Sequence, residues 1–554
     1  MPVKKNYFAI SACFLFAFFL QAQEPSTLGV VSGVVINKLT ESPLKNAHVI
    51  YTKIDPGASA TALPLSKDTD AEGRFSLQLP PGSYRLWVER SGYARQIYGA
   101  LSPSGEGTTL TLARGQQLGP ITFRVAPLGA IAGRVVDEDG EPVQSAGIQV
   151  LRFSYANGHR ELISMAGTTS NDRGEYRIFG LRAGRYLLQV SVPNAPMSRL
   201  PESGALIPEV QDAYAPSYYP GVVDVDSASS VSLGEGSELS DINFQLHKVR
   251  ALGIRGRVAS PVEKFSSSQI QVVLAHNESG VASHIGRIAG LVDGNTGKFE
   301  VHGVSPGSYF LVASQLFAGH ALGGRVPLEV SATAREDVIV PLAAAFEVGG
   351  TLELEGAPRG SVPNLVARLT PSEGLALGPQ PVSKISSDGS IHFSGVTPGH
   401  WTLSFDSLPE GLWIKSESFA GNEALAGEFN FTDSARGQLH IVLAANGGQI
   451  SGTVSHDSQP CRATVVLVPS APELRDAHQM YRVTNTTDRG LFTLKGVRPG
   501  SYKLFAFQEI EPFEWFDPEQ LKQVEESGSP INVSEGENIL RDLVAVPPDA
   551  LLPH

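Results

Sequence analysis

Asp488-Arg489-Gly490-Leu491-Phe492-Thr493-Leu494-Lys495-Gly496-Val497-Arg498-Pro499-Gly500-Ser501-Tyr502 decides how this chain is read. Phe492 and Leu494 alternate with polar neighbours, the pattern of a half-buried strand. Pro499-Gly500 is a turn signal: Pro presets φ at the first corner and Gly takes positive φ at the second. Tyr502 and Leu504 resume the alternation. The stretch reads as strand, turn, strand. It expects a strained position for any other residue at Gly500, and Lys503 on the outer face.

The pattern occurs four more times. It runs from Gly73 through Phe75 to Pro81-Gly82-Ser83-Tyr84, and from Gly174 through Tyr176 to Gly184-Arg185-Tyr186. It returns from Gly297 through Phe299 to Gly307-Ser308-Tyr309, and from Gly389 through Ile391 to Gly399-His400-Trp401. The expected turn glycines are Gly82, Gly184, Gly307, Gly399 and Gly500. An aromatic follows each by two residues and keeps strand phase, so these rings are core. Each copy also has an earlier Gly that opens a β-rich run: Gly33, Gly133, Gly256, Gly350 and Gly452. Their intervals are 100, 123, 94 and 102 residues. That period is too long for a solenoid unit of roughly 20–50 residues. It suits an independently folded β-sandwich of about 100 residues.

The fold class is therefore all-β: a tandem array of five Ig-like or transthyretin-like β-sandwiches. The expected divisions are 1–22 for export, then 23–126, 127–249, 250–345, 346–446 and 447–554. Each unit ends in two tail strands, for example Thr109–Leu112 and Ile121–Val125 in the first. Joints between units are short, which predicts a semi-rigid string. Two insertions break the period. Residues 193–222 carry Tyr214, Tyr218 and Tyr219, and residues 509–530 carry Phe513, Trp515 and Phe516. Asp517 reads as a helix cap with Pro518 at the first position, giving one short helix through Leu521 and Val524.

Charged residues are 18% and hydrophobic residues 42% of the 554, so the chain is globular. Lys4 and Lys5 precede an apolar run from Tyr7 to Leu20, ending at Gln21-Ala22. This has the form of an export signal and is too short to span a bilayer. Ile10-Ser11-Ala12-Cys13 has the form of a lipoprotein box, but the apolar run continues well past Cys13. The expected location is periplasm, cell surface or outside the cell. The net charge is −13 and becomes −15 without the signal's two lysines. Such a charge argues against nucleic acid or an anionic membrane surface as partner. No later stretch reads as transmembrane. Only Cys461 remains after the signal, so no intramolecular disulfide forms.

The Gly-Val-Val opening strand, the Pro-Leu/Val-x-x-Ala turns at Pro43 and Pro142, and the Gly-x-aromatic … Pro-Gly-x-Tyr element resemble the carboxypeptidase regulatory-like domain. The resemblance implies a transthyretin-like sandwich, related to B-type repeats of bacterial surface adhesins and to carbohydrate-binding-like sandwiches. It covers residues 29 to about 549, most clearly in the first, second and fifth copies. It implies an exported bacterial envelope protein and no peptidase activity. Related adhesin repeats often carry a Lys–Asn cross-link between first and last strands. The opening strands here hold no Lys, so none is expected.

Chemistry-bearing patterns are sparse. The thirteen His lie at least eight positions apart, and no His-Glu-x-x-His or Cys pair occurs. A zinc site has no support, and no Gly-x-Ser-x-Gly elbow is present. Ser42-Pro43-Leu44-Lys45 has the Ser-x-x-Lys spacing but sits in a turn. The Asp near each repeat Gly (Asp70, Asp172, Asp293, Asp388, Asp488) varies in offset. That fits turn formation better than calcium, which needs fixed geometry. No catalytic residue, metal or cofactor is expected. Candidate ligand-binding residues are Trp515, Phe516, Phe513, Tyr218, Tyr219 and Tyr214. They serve either as sugar-stacking platforms or as anchors of the insertions. The functional expectation is a non-enzymatic scaffold that binds an envelope or secreted protein, with polysaccharide binding as the alternative.

Overall fold

The computed structural model describes residues 28–54, 63–102, 104–105, 107–155, 160–192, 210–260, 270–276, 282–283, 288–294, 296–317, 320–331, 333, 335–356, 362–372, 380–424, 427–431, 437–475 and 477–551. Residues 1–22, expected as an export signal, and residues 193–209 of the first insertion lie outside them. The chain forms two compact units. One comprises Met1–Arg90, Gln96–Tyr98 and Thr108–Val125; the other comprises Ser91–Arg95, Gly99–Gly107 and Ala126–His554.

In the first unit, strand Gly29–Asn37 pairs antiparallel with Arg74–Leu79 and parallel with Gln117–Val125. The facing sheet runs Leu65–Asp68, His48–Ile54, Gly82–Glu89 and Gln96–Ile97, with Leu110–Leu112 also on Gly82–Glu89. Alternate side chains of both sheets turn inward. Val31, Val35, Phe75, Leu77, Tyr84, Leu86 and Phe123 are all buried. Each such burial contributes about 1.5–3 kcal/mol.

The repeated element is not a hairpin. Arg74–Leu79 and Gly82–Glu89 follow one another in the chain but lie in opposite sheets. The fifth copy does the same: Leu491–Val497 pairs with Gly448–His456, and Gly500–Phe507 pairs with Thr464–Pro469. The element is an arch across the sandwich. The physical reason lies in the Pro. A two-residue hairpin needs positive φ at its first corner, which Pro cannot adopt. Gly82, Gly184, Gly399 and Gly500 accordingly sit at φ 154, 154, 143 and 159°, opening the second strand rather than turning a corner. Lys503 also departs from expectation. It is not free on the outer face but donates to Glu525 Oε1 at 2.7 Å.

Each arch is closed by the aromatic two residues beyond its Gly. Tyr84 Oη donates to Pro80 O at 2.7 Å, and Tyr186 Oη to Arg182 O at 2.8 Å. Tyr309 Oη donates to Ser305 O at 2.9 Å, and Tyr502 Oη to Arg498 O at 2.9 Å. In the fourth copy Trp401 Nε1 donates to Thr397 O at 2.8 Å. The ring fills the core while its polar tip pairs a carbonyl at the crossing. Burial raises the pKa of the Tyr186, Tyr309 and Tyr502 hydroxyls, so they stay protonated donors.

Two glycines per copy have separate roles. At the turn before the arch, Gly490 has φ 74°, and a Cβ there would lie 2.4 Å from Val454 O. At the opening Gly the last strand presses its carbonyl onto the first. A Cβ on Gly33, Gly133, Gly256, Gly350 or Gly452 would lie 2.1, 1.9, 2.0, 2.3 or 1.9 Å from the carbonyl of Ile121, Ile242, Val338, Leu439 or Arg541, in the last strand or, for Ile242 and Arg541, between its two short pieces.

The second unit repeats the pattern. Strands Gly129–Val136, Lys248–Ala259, Phe346–Leu354 and Gly448–His456 each pair antiparallel with the strand that enters the arch and parallel with a final strand. Each stretch has a hydrophobic cluster of its own, centred on Phe244, Phe299, Phe393 and Phe492. The stretches are not strung freely. Val210–Tyr214 of the second adds antiparallel to Lys248–Ala259 of the third. Ala282–Ser283 of the third pairs parallel with Glu161–Thr169 of the second. Lys495 of the fifth meets Glu410 of the fourth at 3.1 Å. Fold class and the short helix agree with the sequence reading: Pro518–Gln523 is helical, and Asp517 accepts from Glu519 N at 2.9 Å.

Gly452→Ala tests the carbonyl contact. The added methyl has no space beside Arg541 O, so a loss of about 1–3 kcal/mol is expected from overpacking. Gly500→Ala, whose Cβ would meet the Tyr502 ring at 3.3 Å near extended φ, is expected to lose less. Denaturant midpoints of the full chain measure both; equal shifts would reject the assignment.

Candidate functional site

Within the second unit, the 509–530 insertion leaves the end of strand Gly500–Phe507 and turns at Phe513, whose φ is 72°. A short 3-10 turn, Glu514–Phe516, leads into the capped helix. Trp515 and Phe516 pack against Val466, Val468, Phe505, Phe507 and Ile510. The apolar outer face of the fifth stretch's sheet thus finds its cover in its own insertion. Phe516 also stacks on His478, with centroids 3.8 Å apart and planes 14° apart. Tyr155 of the second stretch meets the His478 ring edge-on at 5.9 Å.

Polar contacts reinforce this junction. Arg152 of the second stretch pairs with Glu514. Glu511 Oε2 accepts from Ser102 Oγ at 3.3 Å and from Ser104 N at 3.2 Å. Arg182 donates to Ser104 Oγ, and Arg462 Nη2 donates to Gly99 O at 2.7 Å. The 99–107 segment, the second stretch and the fifth stretch therefore converge. The expected string does not describe them, because the insertion supplies an apolar and charged surface that the second stretch complements.

Beside the junction lies a cleft of about 460 Å³, lined by Arg152, Phe153, Arg160, Phe513 and Glu514 among others. The Arg160 guanidinium lies 3.8 Å from the Phe153 ring centre, a cation–π arrangement. Of the six aromatic candidates, only Phe513 reaches this cleft, 41% exposed. Tyr218 is 3% exposed in a cluster with Leu151, Leu162 and Leu187, so its ring has no face to offer a sugar. Tyr219 meets Phe244 edge-on at 5.9 Å. Tyr214 Oη lies 3.5 Å from Asp137 Oδ2. Trp515 and Phe516 are packing residues as described. Arg152, Tyr155 and His478 carried no sequence signal, since their partners are hundreds of positions away.

The turn carboxylates act locally. Asp70 Oδ1 accepts from Glu72 N at 3.0 Å and Arg74 N at 2.7 Å, and the Arg74 backbone bond holds its pKa below the ordinary carboxylate value. Asp388 Oδ1 accepts from Ser390 N at 3.0 Å. In the second and fifth copies the neighbours Asn171 and Thr487 take this place instead of Asp172 and Asp488. Among the described residues, no group of three or more His, Cys, Asp or Glu is placed to hold a metal ion. No described helix is long and apolar enough to cross a membrane.

Two tandem segments, residues 30–124 and 130–202, match the model of the carboxypeptidase regulatory-like domain. Several solved structures are similar. The minor pilin of Streptococcus agalactiae is 11% identical, over 40% of this chain and 96% of its own, with a TM-score of 0.22. The shaft pilin of Lactobacillus rhamnosus GG is 11% identical, over 41% and 98%, with a TM-score of 0.20. The Bacillus anthracis TIE protein is 10% identical, over 76% and 74%, with a TM-score of 0.16. No curated protein matches the chain in sequence.

Trp515→Ala is expected to lower stability by about 2–3 kcal/mol, toward the lower end for a large aromatic truncation because the ring is only partly buried. Calorimetric melting of the full chain measures this. An unchanged melt with lost polysaccharide retention would make Trp515 a platform instead.

Proposed function

We propose that this chain is an exported, non-catalytic scaffold that binds an envelope or secreted protein. Its architecture in this reading is five β-sandwiches, 23–126, 127–249, 250–345, 346–446 and 447–554, behind an export signal at 1–22. The observation that carries it is three exposed aliphatics on the outer face of the fifth stretch's other sheet, the one the insertion does not cover. Leu491, Leu540 and Val544 are 51, 79 and 72% exposed. They lie opposite Thr453, Ser451 and Ser455 on one central strand. Exposed aliphatics set around a Ser/Thr row on one sheet face suit contact with another protein. The exchanged strands between the second and third stretches support the scaffold part of the reading. They hold neighbours in register at a cost that a merely flexible tether would not need.

Affinity capture from the native envelope tests this. The wild-type chain is expected to retain a protein that Leu540→Asp with Val544→Asp releases. Equal retention by both proteins counts against the face. The division itself is tested by residues 447–549 alone, whose hydrophobic cluster is internal. A strand-type circular dichroism spectrum and one cooperative melt are expected; an unfolded fragment rejects the division.

Polysaccharide binding is a second reading, favoured by Phe513 beside a cleft that also holds Arg160 on the Phe153 ring. Retention on polysaccharide columns that Phe513→Ala abolishes would support it over the first.

A further inference from the structure

The fourth and fifth stretches meet within the second unit, and a carboxyl is buried where they do. Glu417, on strand Trp413–Phe419 of the fourth, is 5% exposed. Its Oε2 accepts from Gln479 Nε2 of the fifth at 3.1 Å. Gln479 lies in the short 3-10 turn His478–Met480, and Arg482 Nη1 donates to its carbonyl at 3.0 Å. Its side-chain amide sits where a side chain on Gly427 of the fourth stretch would be. A Cβ there would lie 3.0 and 3.2 Å from the amide nitrogen and oxygen. The pair thus bridges the two stretches from a fixed seat.

Two oxygens of this pair lack a hydrogen. Glu417 Oε1 and Gln479 Oε1 are both closed off from solvent, and neither meets a donor among the described residues. Acceptors buried without donors are costly. As a carboxylate Glu417 can only accept, whereas the neutral acid carries one O–H donor. One proton on Oε1, donated to the Gln479 oxygen, serves both atoms at once.

We propose that Glu417 keeps this proton in the closed joint, so that acid and amide pair through two hydrogen bonds, Gln479 Nε2 to Glu417 Oε2 and Glu417 Oε1 to Gln479 Oε1, and a proton latches the fourth stretch to the fifth.

The charges around the pair leave the proton in place. Lys415, on the same strand, donates to Glu355 Oε1 at 2.6 Å and lies 3.7 Å from Glu535. Glu423, on the neighbouring strand Asn422–Glu423, is exposed. So is His440, on the other neighbour Leu439–Ala444, where it meets Thr351 Oγ1 at 3.2 Å. From the fifth stretch, His478 stacks on Phe516 and Lys495 pairs with Glu410. Arg498 donates to the Met480 thioether at 3.6 Å and is the charge that acts on Glu417. Desolvation raises the Glu417 pKa to about 7, against the opposing effects of the Gln479 bond and the Arg498 charge.

The sign of the pH effect follows. An unfolded Glu titrates near the ordinary value of about 4.3. Between that pH and about 7 the folded chain holds the extra proton, so stability falls as the pH rises through this range. Below the range the latch is fully closed. Above it a carboxylate with one hydrogen bond is left in the joint.

The test compares full-length variants by melting temperature between about pH 5 and about pH 8. Glu417→Gln imitates the neutral acid, with an amide N–H in place of the O–H. It is expected to match the wild type at the acid end and to melt a few degrees higher at the alkaline end. Glu417→Met removes the charge without supplying a donor, and is expected to melt below Glu417→Gln throughout. Arg498→Gln is expected to move the fall in wild-type stability to higher pH, since it removes a charge that favours the carboxylate. Hydrogen exchange of peptides covering Trp413–Phe419 and His478–Met480, corrected for its intrinsic pH dependence, reads the joint itself. It is expected to quicken above about pH 7 in the wild type and not in Glu417→Gln. Equal melting of Glu417→Gln and Glu417→Met means that burial alone sets the titration and overturns the latch. A Glu417→Gln chain that is less stable than the wild type at every pH, or does not fold, overturns it as well.

Discussion

A hydroxyl or indole N–H donated to the carbonyl four residues earlier holds each sandwich together at its crossing. The two sheets share few backbone hydrogen bonds, so the chain must pass between them without leaving the crossing carbonyl unpaired. Tyr84, Tyr186, Tyr309, Trp401 and Tyr502 meet this need with one side chain each. The ring is large enough to fill the core and long enough to reach back. Phe would fill the same space and leave the carbonyl without its partner. This is why the position holds an aromatic donor in all five copies, even where Pro or Tyr is replaced by Ala or Trp.

The arch also fixes what the rest can do. With the sheets joined there, the last strand closes beside the first and pushes a carbonyl into the place of a side chain. The opening Gly follows from that contact. Edges left by this closure are then used. The second and third stretches exchange short strands, which covers edges that would otherwise invite pairing with other chains.

Much of the fold was legible because alternation and Gly placement are local. Phe492, Leu494, Tyr502 and Leu504 announce two half-buried strands, and Asp517-Pro518 announces the helix. The topology between the strands was not. Alternation says that a face is buried without saying in which sheet, so the arch looked like a hairpin. The fixed φ of Pro499 was the available clue against that reading. The junctions were not legible at all. Arg152 with Glu514, and Tyr155 with His478, join segments over three hundred positions apart, and nothing in either neighbourhood marks the other. Tyr218 was misleading for a related reason: an aromatic in an irregular segment looks exposed until its burying partners, Leu151 and Leu187, are known.

The parallel pairing of first and last strands has a mechanical consequence. In the first unit, Val30 pairs with Gln117 and Asn37 with Val125, so the chain enters at one end of the pair and leaves at the other. Tension applied along the chain slides these two strands past each other instead of peeling them apart. All of their hydrogen bonds then bear load together, and the carbonyl seated on Gly33 acts as a detent against the slide.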